Sequence, residues 1–558
     1  MHDMKHTLSR LFKPIDIMPL VFFRILFGGI MIWEVWRYFH FDRINRYYIE
    51  PQYTFHYWGF EWVKPLSGDG MIWLFYVVAI LASFIMIGFL YRFAMIAFWL
   101  SITYIFLLDQ TQYLNHIYLI SLVSFLMIWI PAHRKWALDA WLRPKSRSET
   151  APAWGLGLLR GQMAIVYVYG GIAKINPDWL RGEPMRTWLS ERTSFPLIGH
   201  QFTQEWMVYG FSYGGLLFDL LIVPMLFWHR TRWFALGLLF LFHLTNHMLF
   251  NIGIFPHFAF GISLLFLPPH WFRFCQTPIP TAPSLTFLNP KRILLLICVA
   301  LYFFIQIVLP LRHFLYPGYV SWTEEGHNLA WHMRLRSKAG DITFYAVDTT
   351  SGFVRDIPIQ DYLNARQIDQ MSDQPLMILR FAHYLSGQST YQNQQIHVWS
   401  MMSLNERASQ LLLDPTVNLV DEVDDLGHDD WILPLYQAPY PADATPTLLI
   451  SRRIDGVLII INITQEAIPM KELILTIGAY DITAEHLLLD ELAPDACLVV
   501  HEEGADISYV LPICNEATQR INLPSHVVNI DELSQIGVNP DYMIDCILSY
   551  CIVTYTSD

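Results

Sequence analysis

The sequence predicts an α-helical polytopic membrane domain of about nine spans. A soluble, exported domain follows, mixed α/β at first and then β-rich and sandwich-like. Three observations predict this. Of 558 residues, 54% are hydrophobic and only 15% charged, too apolar for a soluble protein of ordinary make-up. Nearly all of the excess lies before about position 310, in segments of 15 to 22 residues, the length of helix that crosses bilayer hydrocarbon. Beyond that point short runs alternate apolar and polar residues, with turn signals between them. The expected boundaries are a transmembrane domain over 1–310, a mixed region over 311–435 and a β-rich module over 436–558.

The candidate spans are 16–36, 71–91, 93–108, 116–131, 156–174, 213–228, 232–249, 251–268 and 292–310. Nine spans put the termini on opposite sides, and the distribution of basic residues tests that number. With the N-terminus in the cytoplasm, fourteen Lys and Arg fall in inside loops: Lys5, Arg10, Lys13, Arg92, Arg134, Lys135, Arg143, Lys145, Arg147, Arg230, Arg232, Arg273, Lys291 and Arg292. Seven fall outside: Arg37, Arg43, Arg46, Lys64, Arg181, Arg186 and Arg192. The bias favours a cytoplasmic N-terminus and an exported C-terminal domain, in a periplasm or lumen. The basic start runs into an apolar stretch with no small-residue cleavage site behind it, so the first span is expected to stay as an anchor.

Net charge is −13, which leaves no basic field for phosphate backbones and excludes nucleic acid as a partner. Six cysteines (Cys275, Cys298, Cys497, Cys514, Cys546 and Cys551) contain no CxxC pair, which argues against a zinc ribbon or a thioredoxin-like site. The last four could form disulfides in an oxidising compartment.

In the soluble part, Ile342–Asp348 and Phe353–Ile357 flank a TTSG turn, and Thr447–Ser451 and Val457–Ile463 flank an IDG turn. Both are hairpin signatures. Cys497–Val500 and Ile507–Val510 repeat the pattern around EEGAD. Asp361–Met371 and Pro375–Leu385 carry helical periodicity.

The stretch that organises the chemistry is Tyr167–Met185, YVYGGIAKINPDWLRGEPM, where an apolar helix runs into a Pro/Gly-punctuated loop. Tyr167, Gly170, Gly171 and Lys174 fall at i, i+3, i+4 and i+7, on one helix face. A lysine at a membrane helix end ordinarily snorkels to the headgroups. Here two glycines clear a notch beside the amine, and apolar walls there would favour its neutral, proton-accepting form.

The topology brings other ionisable groups to the same depth. The fourth span begins outside with Asn115–His116, and the seventh carries His243 and His247 one turn apart near its outer end. Such groups at membrane depth are costly and seldom lack a partner or a task. The bland alternatives are that His116 sits at the interface as a helix cap and that His243 and His247 are satisfied interfacial histidines. An i, i+4 histidine pair can also be half of a metal site, but no further histidine box accompanies it, so no metal is expected. Arg24, midway along the first span, reads as a structural cation paired with a glutamate such as Glu34 or with backbone carbonyls. The Trp and Tyr residues of WRYFHF and YYIEPQYTFHYW read as an interfacial aromatic belt.

The ordered set LNHIYL, GGIAKINPDWLRGEPM, FHLTNHMLFNIGIFP, WTEEGHNLAW, ILRFAHYL and LLLDPTVNL ending in WILPL resembles the vitamin K-dependent gamma-glutamyl carboxylase family over roughly residues 15–435. The resemblance implies a membrane enzyme that converts protein glutamate to gamma-carboxyglutamate. It would couple this to oxidation of reduced vitamin K, a hydroquinone such as menaquinol, to the epoxide with O2 and CO2. It implies that Lys174 is the base acting on the hydroquinone and that His116 supports the glutamyl carbanion. Tyr167, Gly170, Gly171, Asn115, His243 and His247 fall in matching motifs, as candidate cofactor-binding residues. The implied partners are a glutamate-containing protein or peptide, the quinone and the bilayer. Animal members carry a cysteine in the first exported loop that bridges to the soluble domain; residues 37–70 contain none.

A glutamyl γ C–H is far too weak an acid for an amine, so Lys174 need only take a phenolic proton, and oxygenation of the quinol must supply the stronger base. Three other readings compete: a quinol-epoxidising membrane enzyme with a different acceptor, a non-catalytic membrane receptor or scaffold, and a histidine-metal membrane oxidase.

Overall fold

The long apolar runs fold as helices because a backbone in hydrocarbon must satisfy its own hydrogen bonds. In the computed structural model they are α1 (Met18–His40), α2 (Gly70–Ile87), α3 (Tyr91–Leu107), α4 (Asn115–Trp129), α5 (Ala153–Ala173), α6 (Glu205–Phe227), α7 (Arg232–Phe250), α8 (Phe255–Ser263) and α9 (Pro290–Val308). The structure describes residues 11–435 apart from 251, 273–289, 349–353, 408 and 416, and beyond 435 only the backbone of short strands.

Each of the nine predicted spans falls on one of these helices. Six of them (α1, α2, α5, α6, α7 and α9) are long and apolar enough to cross a membrane, while α3, α4 and α8 are shorter. The largest boundary difference is at α6, which begins at Glu205, not 213; its first turns mix Gly, Ser and Tyr and so lack a clear hydropathy edge.

The chain divides into two compact units. One comprises Met1–Tyr316 with Gly326–Arg336, the other Pro317–Glu325 with Ser337–Asp558. In the first, strand β1 (Pro14–Asp16) pairs antiparallel with β2 (Thr150–Pro152), joining the start of α1 to the start of α5. Helices α1 and α2 pack closely at Gly28, where a Cβ would stand 2.7 Å from the Ala82 carbonyl oxygen. Arg24 is fully buried and donates to the carbonyls of Ile85 (3.1 Å), Met86 (2.9 Å) and Trp136 (2.5 Å). It therefore caps the C-terminus of α2 and has backbone, not Glu34, as its partner. Glu34 instead accepts from Arg37 at 2.7 Å.

Most of α9 is exposed apolar surface, including Leu294, Ile297, Leu301 and Phe304, as expected of a lipid-facing span. Its buried Gln306 joins a polar network: Gln162 Nε2 donates to Gln306 Oε1 (3.4 Å), Gln306 Nε2 to the Tyr118 hydroxyl (3.4 Å), and the Tyr302 hydroxyl to Gln162 Oε1 (2.8 Å).

In the second unit β3 (Lys338–Asp348) pairs antiparallel with both β4 (Val354–Ile357) and β5 (Gln394–Leu404), and β5 with β6 (Gln410–Leu411). The TTSG hairpin is therefore present as β3–β4. Helix α10 (Ala365–Ser372) starts with a capping box between Asn364 and Gln367. Helix α11 (Pro375–Ser386) lays Phe381 edge-on to Phe344 of β3, with ring centroids 5.2 Å apart. The fully buried Trp322 donates its indole N–H to the Leu433 carbonyl at 2.6 Å.

Further on, β7 (Leu448–Arg452) and β8 (Val457–Ile461) form the IDG hairpin. With β9 (Cys497–Glu502), β10 (Gln519–Leu523) and β11 (Cys551–Val553) they make a sheet ordered β10-β9-β8-β7-β11, in which only β9 and β10 run parallel. The expected partner strand Ile507–Val510, the packing of sheet on sheet and the pairing of Cys497, Cys514, Cys546 and Cys551 lie outside the described residues.

Candidate functional site

Helix α5 ends at Lys174 because Pro177 lies three residues on. The residue before a proline is driven to extended backbone, and Asn176 has φ −138° and ψ 158°. Its side chain accepts from the Trp179 N–H (2.9 Å) and donates to the Ala173 carbonyl (2.9 Å), capping one helix while closing the other. Lys174 folds back over the last turn. Its Nζ donates to the Gly170 carbonyl at 3.1 Å and to Asp219 Oδ2 at 2.7 Å, and lies 5.2 Å from the centre of the Trp179 ring. The two side chains are only 8% and 5% exposed.

The amine is thus buried, as its position in the sequence suggests, but its walls are not purely apolar. Asp219 of α6 turns the expected isolated amine into one half of a buried ion pair. Both glycines have work to do here. A Cβ on Gly170 would stand 2.9 Å from Met333 Cε and 3.4 Å from Asp219 Oδ2; one on Gly171 would stand 2.7 Å from Leu220 Cδ2 and 3.1 Å from the Leu220 backbone nitrogen. The notch is what lets α6 approach closely enough for the carboxylate to reach the amine.

One turn and more back along α5, the Tyr167 hydroxyl and His243 Nε2 lie 2.9 Å apart. His243 is buried and its Nδ1 has no hydrogen-bond partner among the described residues. The Phe255 ring of α8 lies between His243 and His116, with centroids 6.0 and 6.2 Å away. His116 is 7% exposed, neither ring nitrogen has a hydrogen-bond partner among the described residues, and no side chain caps α4. His247 faces His257 (4.8 Å between rings) rather than sharing a partner with His243.

A strap, Gly326–Arg336, runs past these groups. The Leu329 N–H donates to the Tyr113 hydroxyl (2.7 Å), Asn115 Nδ2 to the His332 carbonyl (2.9 Å), and Trp331 stacks on Tyr118 at 4.9 Å. Arg334 donates to the Phe250 carbonyl at 2.8 Å. Leu329, Trp331 and Arg334 have φ of 62°, 60° and 47°, left-handed backbone that such side chains rarely adopt and that persists only where neighbours dictate it. Asn115 is therefore committed to the strap, since its Oδ1 also accepts from the Tyr113 hydroxyl (2.9 Å). The strap puts Met333 beside Gly170, so the amine on α5 and the start of α4 are linked through one short segment.

A small hollow lies among α1 to α4, lined by Phe75, Phe98, Phe106 and Ile120 with Glu34 and Gln112 as polar members. Neither Lys174 nor His116 lines it.

Asp219, Arg37 and the strap were not among the sequence candidates. Asp219 had a readable signal, a lone acid in the apolar run LLFDLLIVP. Arg37 had none, and the strap was visible only as part of the motif WTEEGHNLAW, with nothing to say what it packs against.

Two family domains match the chain: the HTTM domain over residues 12–271, and the vitamin K-dependent gamma-carboxylase lumenal domain over residues 291–438. No solved structure matches it. With several apolar helices of membrane-crossing length and these two domains in tandem, the chain belongs to the vitamin K-dependent gamma-glutamyl carboxylase family of membrane proteins.

Proposed function

We propose that the chain is an integral-membrane enzyme that converts glutamate side chains of a protein substrate to gamma-carboxyglutamate, coupled to oxidation of vitamin K hydroquinone to the epoxide with O2 and CO2. The observation that carries the reading is the Lys174–Asp219 pair, an amine and a carboxylate 2.7 Å apart and shielded from solvent. The residues around it suit a quinol: apolar walls for a hydrocarbon body, and an orphaned Nδ1 on the buried His243 for an oxygen. When bound, reduced vitamin K supplies, with O2, a base strong enough for the glutamyl γ-hydrogen, which no side chain is.

As an ion pair, Lys174 and Asp219 are neutral together. They can accept one phenolic proton on the carboxylate while the ammonium stays in place to hold the anion left behind, and no net charge is created in the low-dielectric site. Tyr167 and His243 hold each other at fixed distance, which fixes the His243 ring while its Nδ1 stays without a partner among the described residues. His116, with both ring nitrogens unengaged among the described residues, supplies a hydrogen bond to negative charge developing on the acceptor. The orientation that fits the basic-residue bias puts the N-terminus in the cytoplasm and the C-terminal part outside it.

The test measures both products in one assay, with reduced vitamin K, labelled bicarbonate and a glutamyl peptide. Lys174→Ala should lower epoxide output about 10²- to 10³-fold, the range for loss of a donor that holds a developing oxyanion, and carboxylation with it. His116→Ala should reduce carboxylation more than epoxidation. Normal epoxide output from the Lys174 variant would refute the assignment.

A further inference from the structure

Arg37 lies in the last turn of α1, His116 in the first turn of α4, and Gly253 in the turn between α7 and α8. These three elements are far apart in sequence, yet they enclose one small space. A Cβ built on Gly253 would find as its nearest neighbours Arg37 Nη1 at 3.5 Å, Arg37 Nη2 at 3.6 Å and His116 Nε2 at 3.9 Å. There is therefore room for a heavy atom in front of the glycine, and the atoms that face it are three nitrogens. Gly253 has φ +65°, a backbone that disfavours any side chain that would fill the space.

The charges around it are out of balance. Glu34 Oε2 lies 2.7 Å from Arg37 Nη1 and Glu34 Oε1 4.0 Å from Arg43 Nη1, two guanidiniums on one carboxylate. The Arg37 side chain makes no other hydrogen bond among the described residues, so Nη2 and Nε are free to donate. Its side chain is 13% exposed, reachable but largely desolvated. His257 and His247, next to it on the α7–α8 side, add no negative charge. A guanidinium edge and an imidazole nitrogen converging on an empty, electropositive space match a planar oxyanion, taken in the two-point manner of arginine and carboxylate.

We infer that this space is a carboxylate subsite and that its occupant is the side-chain carboxylate of the acceptor glutamate, bound by Arg37 and His116. The inference rests on the carboxylase reading and deepens it. Loss of the γ-hydrogen leaves an electron pair on the carbon next to that carboxylate, and the pair delocalises into its two oxygens. Those oxygens are the atoms Arg37 and His116 would hold, so both contacts strengthen as the charge grows. The proton leaves with the base that quinol oxidation supplies, and the carbon's electron pair forms the new bond to CO2.

The experiment needs no turnover. Equilibrium binding to the full chain in detergent micelles is compared for two amidated, acetylated peptides that differ only in one Glu or Gln, so that the side chain is the sole carboxylate. The wild type should prefer the Glu peptide by about 10- to 100-fold, the worth of charge-assisted hydrogen bonds. Arg37→Gln combined with Glu34→Gln, which leaves no buried carboxylate unpaired, should erase the preference. Gly253→Ala, which fills the space and keeps Arg37, should do the same. A wild type without the preference, or both variants retaining it, overturns the subsite. A wild type that prefers the Glu peptide but makes no carboxylated product sinks the carboxylase reading and leaves the subsite standing.

Discussion

Burial of Lys174 and Asp219 as a pair makes a sharp energetic prediction. Each side chain is at most 8% exposed, so removing one leaves the other as an uncompensated charge, at a cost of about 3 to 5 kcal/mol. The two halves should not be equal. After Asp219→Leu, the amine keeps the Gly170 carbonyl and the Trp179 face, so the loss should sit near the low end. After Lys174→Met, Asp219 has no other hydrogen-bond partner among the described residues, and the loss should sit near the high end. Replacing both with Met and Leu removes the charges together and should return stability to within about 1 kcal/mol of wild type. Unfolding in mixed micelles titrated with a denaturing detergent reads these differences, and the double-mutant cycle gives a coupling of about 7 kcal/mol, the two single losses less what the double variant still loses. Epoxide formation should be lost in all three variants, so that the double variant is folded and inactive. Two single variants each within about 1 kcal/mol of wild type, and additive, would mean that the pair is hydrated and would remove the argument for a sheltered acid–base unit.

Two predictions concern the C-terminal part. Burial, with Glu325 and Asp425 adding repulsion, pushes the Asp429 carboxyl up to about 7. A carboxyl raised in the folded state binds its proton there before it does in the unfolded chain, so local stability should fall as pH rises through about 7 and be regained as pH drops toward 4. Because the group is partly exposed, the effect is discounted to about 1 to 2 kcal/mol. Hydrogen exchange over residues 428–433, corrected for intrinsic rates, should show more protection at pH 5.5 than at pH 8, and an unchanged slope in Asp429→Asn would dispose of the assignment. A compartment-sensitive reporter fused after Asp558 should be active only outside the cytoplasm; cytoplasmic activity would invert the orientation drawn from the basic residues.

What the sequence made legible, and what it hid, follows from the range of the interactions involved. The nine apolar helices were readable because length and hydropathy are local, and the β3–β4 and β7–β8 hairpins because their turns are. Lys174 stood out as a polar residue between an apolar helix and a loop. Asp219 carried the same signal in LLFDLLIVP, but its meaning depends on α6 lying against α5, and that contact is set by Gly170 and Gly171 accepting Met333 and Leu220 at distances that any Cβ would violate. Arg37 was counted as one basic residue among those flanking spans, a topological marker. Its position opposite His116 arises only when the α7–α8 turn brings Gly253 between them. The strap was quoted as a motif, WTEEGHNLAW, but its path was hidden, since the stretch has no periodicity and Leu329, Trp331 and Arg334 adopt left-handed backbone that no propensity would assign to Leu, Trp or Arg. In a polytopic membrane protein a polar residue is therefore best questioned about its partner on another helix. Local sequence says that such a residue needs one, and only packing says which.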